Sequence, residues 1–204
     1  MVLAAPKRLS FDQREKRLLQ AAGRLFSRLG YRGTTTKAIA REAGINEALL
    51  FRHFPNKETL YDALLNQAVS DWSQETLISL KEYQKKPLRQ ALVEIGQLLI
   101  RRVEADPDLL RMVTFASLEN HRLRKGFFKN PPPIKSFMKA FFAERQRRGE
   151  IKKEDPSLLA ATFLSLIFYY IHMKEILGAE KYYYGAEKPT LNFFSKIISA
   201  GVKP

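Results

Sequence analysis

The chain has 204 residues, 45% hydrophobic and 27% charged, which suits one or two globular domains and excludes a disordered chain. It has no cysteine, which excludes disulfides, thiolate catalysis and Cys-based metal sites and fits a reducing cytoplasm. The net charge of +14 is uneven, because residues 1–57 carry 12 Lys/Arg against 4 Asp/Glu while residues 58–204 carry 23 against 17. A basic N-terminal quarter has two readings, the footprint of a polyanion partner or a solubilising surface. The first residues have only a short apolar patch before their charges, which is not the form of a secretory signal.

Nearly every periodic segment reads as helix, and no clean alternation of strand residues occurs. The expected class is therefore all-α. The first helix is predicted from about Asp12 to Leu29, with Leu18, Ala22, Leu25, Phe26 and Leu29 on one face and Gly30 as its left-handed stop. A second, short helix follows a threonine N-cap at Thr35, buries Ile39, Ala40 and Ala43, and stops at Gly44. Asn46 is placed to cap a third helix over "EALLFRHF", which Pro55 ends by forcing the preceding residue out of the α region. Asn56 caps a fourth helix, with Lys57 in its first turn.

Beyond Pro87 the pattern stays helical. Helices are predicted over about Leu88–Ala105, Pro107–Lys125, Ile134–Arg148, Pro156–Leu177 and Pro189–Ala200, with a break at "NPPPIK". Asp155 before Pro156 is a good N-cap followed by a proline at the first helical position. The run from Leu158 to Met173 is apolar around most of its circumference. It is shorter than a usual membrane span and holds Thr162, Ser165, Tyr169, Tyr170 and His172, so burial is the better account.

Two short helices joined by a tight glycine-containing turn form a helix-turn-helix candidate. If Leu50 and Phe54 turn inward with Ile39, Ala43 and Ile45, then Glu47, Ala48, Phe51 and Arg52 are left on the outer face. A helix of this size fits the DNA major groove. Arg52 is read either as a solvated arginine or as a bidentate partner of guanine.

The stretch "FSRLGYRGTTTKAIAREAGINEALLFRHFPNKETLYDALL" resembles the DNA-binding domain of the TetR family of bacterial transcriptional repressors. The landmarks are Gly30-Tyr31, the threonines that open helix two, Ala40, Gly44-Ile45, Leu50-Phe51, His53-Phe54 and Asn56-Lys57-Glu58. The resemblance covers about residues 12–72, with the helix-turn-helix at 35–54. It leaves residues 73–204 as a helical effector-binding and dimerisation domain. It implies that Thr36 and Lys37 meet phosphate and that Asn46, Glu47, Ala48 and Leu49 form the groove-facing start of the recognition helix. It places Phe51 against the sugar-phosphate edge, in the position of the family's usual tyrosine, and implies that His53 and Lys57 hold phosphates. Phe51 lacks the tyrosine hydroxyl, and Glu47 is acidic where a polar or basic residue is frequent.

The resemblance further implies a homodimer reading a two-fold operator in double-stranded DNA, with Leu166, Tyr170, Leu191, Phe194 and Ile198 at the subunit interface. It also implies a pocket for a small-molecule effector of apolar or aromatic character. Phe115, Phe137, Phe141, Phe163, Tyr169 and His172 are the candidate lining residues, and core packing explains each equally well. No phosphate loop, nucleophile elbow, paired-carboxylate pattern or metal-ligand spacing occurs, so neither enzymatic activity, a cofactor nor a metal is expected. Residues 122–153 carry eleven Lys/Arg against Glu144 and Glu150, read as solvated surface in preference to an anion site. The expectation for the whole is a cytoplasmic, operator-binding repressor. An activator and a small-molecule-binding protein with a vestigial N-terminal domain are the rivals.

Overall fold

The computed structural model describes residues 10–67, 81–119 and 133–203, and among these every regular element is helical. The chain divides into two compact units, Met1–Ala68 with Asp108–Lys129, and Val69–Pro107 with Asn130–Pro204. In this division the helix Asp108–Leu118 groups with the N-terminal unit.

The N-terminal unit contains α1 (Phe11–Gly33), α2 (Thr36–Ala43), α3 (Glu47–His53) and α4 (residues 57–67). Helix α1 starts one residue earlier than predicted because Ser10 and Gln13 form a reciprocal capping box. It also passes through the expected stop. Gly30 has φ 71° and ψ 177°, outside the helical region, yet the chain resumes one more turn to Gly33. That turn is held from a distance. The Glu119 carboxylate accepts from the backbone N–H of Tyr31 at 3.2 Å and of Arg32 at 3.1 Å. It thereby satisfies donors that the break at Gly30 leaves without intrahelical partners.

The core of this unit brings Leu18, Ala22 and Phe26 of α1 against Ile39, Ala40, Leu50 and Phe54 of the short helices, with Leu60, Tyr61 and Leu65 of α4. The helix Asp108–Leu118 closes it through Met112 and Ala116. Rings of Phe26, Tyr31 and Tyr61 pack edge-on or stacked, and the Tyr61 hydroxyl donates to the Met112 carbonyl at 3.0 Å. Burial pushes the Tyr61 phenol far above its ordinary range, so it remains a donor.

The second unit contains α5 (Leu88–Ala105), α7 (Ile134–Arg147), α8 (Pro156–Glu175), α9 (Glu180–Tyr183) and α10 (Glu187–Gly201), the label α6 being kept for Asp108–Leu118. Asp155 caps α8 by accepting from the Ser157 N–H at 2.7 Å, one residue beyond Pro156. Helix α5 approaches its neighbours closely at Gly96, where an added Cβ would lie 2.8 Å from Leu191 and 3.0 Å from Ile167. Arg145, whose side chain is almost fully buried, is held by Glu150, by the Tyr83 and Lys86 carbonyls and by the Phe141 ring. This ties the 3-10 turn Lys81–Lys85 to α7. Helix α8 is long and apolar enough to cross a membrane by composition alone, but Ala160, Phe163, Leu164, Ile167, Tyr170, Ile171 and Met173 are buried within its own unit.

Candidate nucleic-acid interface

Local chemistry builds the helix-turn-helix. The Thr35 hydroxyl accepts from the Ala38 N–H at 3.1 Å, and the Asn46 side-chain oxygen accepts from the Leu49 N–H at 2.7 Å. Each cap satisfies one orphan donor and fixes where its helix starts. Gly44, at φ 71° and ψ 33°, ends α2 in the left-handed conformation, and its N–H bonds back to Arg41. One further bond spans the two helices, from the Thr36 hydroxyl to the Glu47 carboxylate at 2.6 Å. Glu47 therefore locks the start of α3 to the start of α2, and only its second oxygen is left for a base.

Outward from this frame stand Lys37, Asn46, Ala48, Phe51 and Arg52, all exposed, with Phe51 at 45%. Leu49 is half-buried. The face beside them is a shallow concavity of about 530 Å³ lined by Thr35, Lys37, Ala38, Arg41, Ile45 and Glu47. Its cations are Lys37 and Arg41, and its one carboxylate is already bonded to Thr36.

Two residues expected to hold phosphates, His53 and Lys57, make contacts within their own unit. The His53 side chain is 0% exposed, stacked under Phe11 at 4.0 Å between ring centroids, with Nδ1 3.7 Å from the Glu15 carboxylate. Neither ring nitrogen has a hydrogen-bond partner. The reason is that α1 begins at Phe11 and lays that ring across the imidazole. Lys57 is half-buried, and its Nζ donates to the carbonyls of Tyr31 and Thr34 at 2.8 and 2.9 Å while sitting 4.1 Å above the Tyr31 ring. Burial lowers its pKa from the usual lysine value, partly offset by the charge of Glu119. Lys57 is thus tied to the end of α1 and His53 is packed against its start.

Among the expected effector residues, Phe115 packs beside Gly30 and groups with the N-terminal unit. Phe141 and Phe163 are fully buried, Phe137 is partly buried against Phe141, His172 is half-buried, and Tyr169 is largely exposed. Of the interface set, Tyr170, Leu191, Phe194 and Ile198 are buried in their own unit, and Leu166 is half-buried. The apolar stripe of α10 packs against α5 and α8 of the same unit. The outward residues are Leu158 and Tyr169 of α8 with Phe193 and Ile197 of α10. His121 and residues 122–132 of the second basic region lie outside the described residues.

Residues that the sequence reading missed are Phe11, Glu119 and the arginines of α1. Ser10 and Gln13 carry a capping-box spacing that announces Phe11, whereas nothing near Glu119 in the sequence points to Tyr31.

A capped helix pair with a small, cation-rimmed outer face, set on a bundle of buried aromatics and aliphatics, defines a helix-turn-helix DNA-binding protein. The sequence profile of bacterial regulatory proteins of the TetR family matches residues 18–64, and that of the AefR-like transcriptional repressor C-terminal domain matches residues 88–190. The chain belongs to the TetR family and is a DNA-binding transcriptional regulator. It is 32% identical over 163 residues to the uncharacterised HTH-type transcriptional regulator YvkB of Bacillus subtilis, covering 77% of this chain and 81% of that one. Solved structures that share its fold include two with bound ligands. The transcriptional regulator FadR of Bacillus subtilis, in complex with stearoyl-CoA, matches with a TM-score of 0.76 at 18% identity over 91% of this chain and 98% of that one. AibR, in complex with isovaleryl coenzyme A and operator DNA, matches with a TM-score of 0.65 at 20% identity over 90% and 97%.

Proposed function

We propose that the protein is a homodimeric repressor that leaves a two-fold operator when a small-molecule effector binds. The observation that carries the reading is the outer face of α3, where Asn46, Ala48, Phe51 and Arg52 stand clear of the core beside Lys37. In this arrangement Ala48 and Arg52 read base edges, and Phe51 lies along the sugar-phosphate edge. Lys37 and the free N–H groups at the start of α2 take phosphates. Thr36, Glu47, His53 and Lys57 hold the reading helix in place.

Dimerisation uses the exposed faces of α8 and α10, with Leu158, Tyr169, Phe193 and Ile197 in place of the inward residues. Four large apolar side chains on two adjacent helices form the kind of patch that a second copy covers, and two-fold pairing suits two recognition helices to two half-sites. The effector enters the second unit. Because Phe141 and Phe163 are fully buried, binding beside them requires a shift among α5, α7 and α8, which is the differential state a ligand can select. Two fold relatives are described with acyl-coenzyme A thioesters, so these lead the effector panel, ahead of other apolar and aromatic compounds. The protein acts in the cytoplasm.

The test is fluorescence anisotropy on duplex DNA from upstream of the protein's own gene against a scrambled duplex, at several salt concentrations. Two protomers are expected per site, with preference for the native fragment and a steep salt dependence. Equal, weak binding to both duplexes would remove the operator reading. No change of affinity across the effector panel would remove the release step.

A further inference from the structure

Arg17, Arg24 and Arg28 recur along α1 at spacings of seven and four, which puts them on one exposed stripe beside the buried face of Leu18, Ala22 and Phe26. Arg17 and Arg24 line a second concavity, of about 350 Å³, with Gln20, Arg41, Glu42 and Gly44. Arg41 lines both this groove and the one beside α3. Arg41 therefore joins Lys37 of the one concavity to Arg24 and Arg17 of the other. Glu42 is the one carboxylate in the groove, and it is engaged by Arg24 at 3.2 Å. That ion pair is exposed on both sides, so a phosphate can take Arg24 over at little cost. Among the described residues neither Arg17 nor Arg41 has a carboxylate within ion-pair distance.

We infer that the α1 groove is a second DNA-backbone site, in which Arg41, Arg24 and Arg17 hold phosphates beyond those met by α2 and α3. This rests on the operator-binding reading and extends it sideways. Charge complementarity selects the occupant. The groove combines three guanidiniums and a single, already paired acid with no large apolar residue, which is a lining for a row of phosphates and unsuited to an apolar helix or a hydrophobic ligand. The contacts carry no sequence information. They raise affinity and salt dependence and leave base preference alone.

The experiment compares wild type with Arg17→Ala/Arg24→Ala and with Arg17→Lys/Arg24→Lys on one operator duplex extended by about a helical turn on each side, as a salt titration. Thermal unfolding of each variant controls for folding, which two exposed residues should not disturb. The alanine pair removes two contacts from each of two protomers and is expected to lose about three to four units of salt slope, at about 0.9 per phosphate contact, and at least about tenfold in affinity at moderate salt. Its ranking of operator variants should stay unchanged. The lysine pair should recover the slope. Wild-type slope and affinity in the alanine pair would overturn the second site and leave the groove to an acidic protein, with the regulator reading intact. A wild-type protein with no preference for any upstream duplex would overturn both.

Discussion

The two units differ in which of their exposed side chains gather on adjacent helices. The helix-turn-helix unit turns cations outward, from Lys37 through Arg41 to Arg17, and keeps its polar groups in caps and cross-links. The second unit turns Leu158, Tyr169, Phe193 and Ile197 outward and shields its internal charge, Arg145, beneath a salt bridge and two carbonyls. On the proposed reading the first surface meets an anion and the second is covered by a second copy of the chain.

The largest effect should come from breaking the second of these surfaces. Phe193→Asp with Ile197→Asp leaves the protomer core untouched, since both side chains are more than half exposed, at 59% and 52%. The pair should convert the protein from dimer to monomer in light scattering. Operator affinity should then fall by about 10²–10⁴, the advantage lost when a second half-site is no longer tethered to the first. A variant that stays dimeric would return the interface to another face. Leu191→Asp or Phe194→Asp should instead unfold the unit, because those positions are interior.

That distinction marks how much the sequence could tell. The helix-turn-helix was legible almost residue by residue because its instructions are local. A threonine three residues before Ala38, an asparagine three before Leu49 and a glycine at a tight turn each act on their own neighbours. The positions of α8 and α10 were legible for the same reason, through Asp155-Pro156 and helical periodicity. Which side of those helices faces in was not, because both sides are apolar. Periodicity finds a stripe at Leu191, Phe194 and Ile198 but cannot say whether the protomer or its partner covers it. Lys57 shows a further limit. A lysine in the first turn of a helix beside a DNA-binding motif invites a phosphate, yet two carbonyls more than twenty residues away claim its ammonium first.

A second test sharpens the account of how the N-terminal unit is finished. Gly30→Ala places a Cβ at φ 71°, ψ 177°, a region open essentially to glycine, and 2.5 Å from a Glu119 oxygen. Backbone strain and the forced retreat of Glu119 should together cost about 2–4 kcal/mol in urea unfolding. The displaced carboxylate also leaves the Tyr31 and Arg32 N–H groups without their acceptor. A change under 1 kcal/mol would mean that the last turn of α1 reforms without Glu119, and that the bond across 88 positions is incidental.

The smallest effect is the most discriminating for the reading face itself. His53 lies under Phe11 with both ring nitrogens buried and unpaired, an arrangement that penalises the fold. His53→Phe keeps a flat ring in the stack, removes the two unsatisfied atoms, and should stabilise the protein by about 1 kcal/mol. If the ring is a brace, operator affinity should stay within twofold. A tenfold loss alongside the gain in stability would mean that Phe11 lifts away on DNA and the imidazole reaches a phosphate. The unpaired nitrogens would then be strain held for that contact, and the cost to the free protein would be the reason a phenylalanine does not stand there.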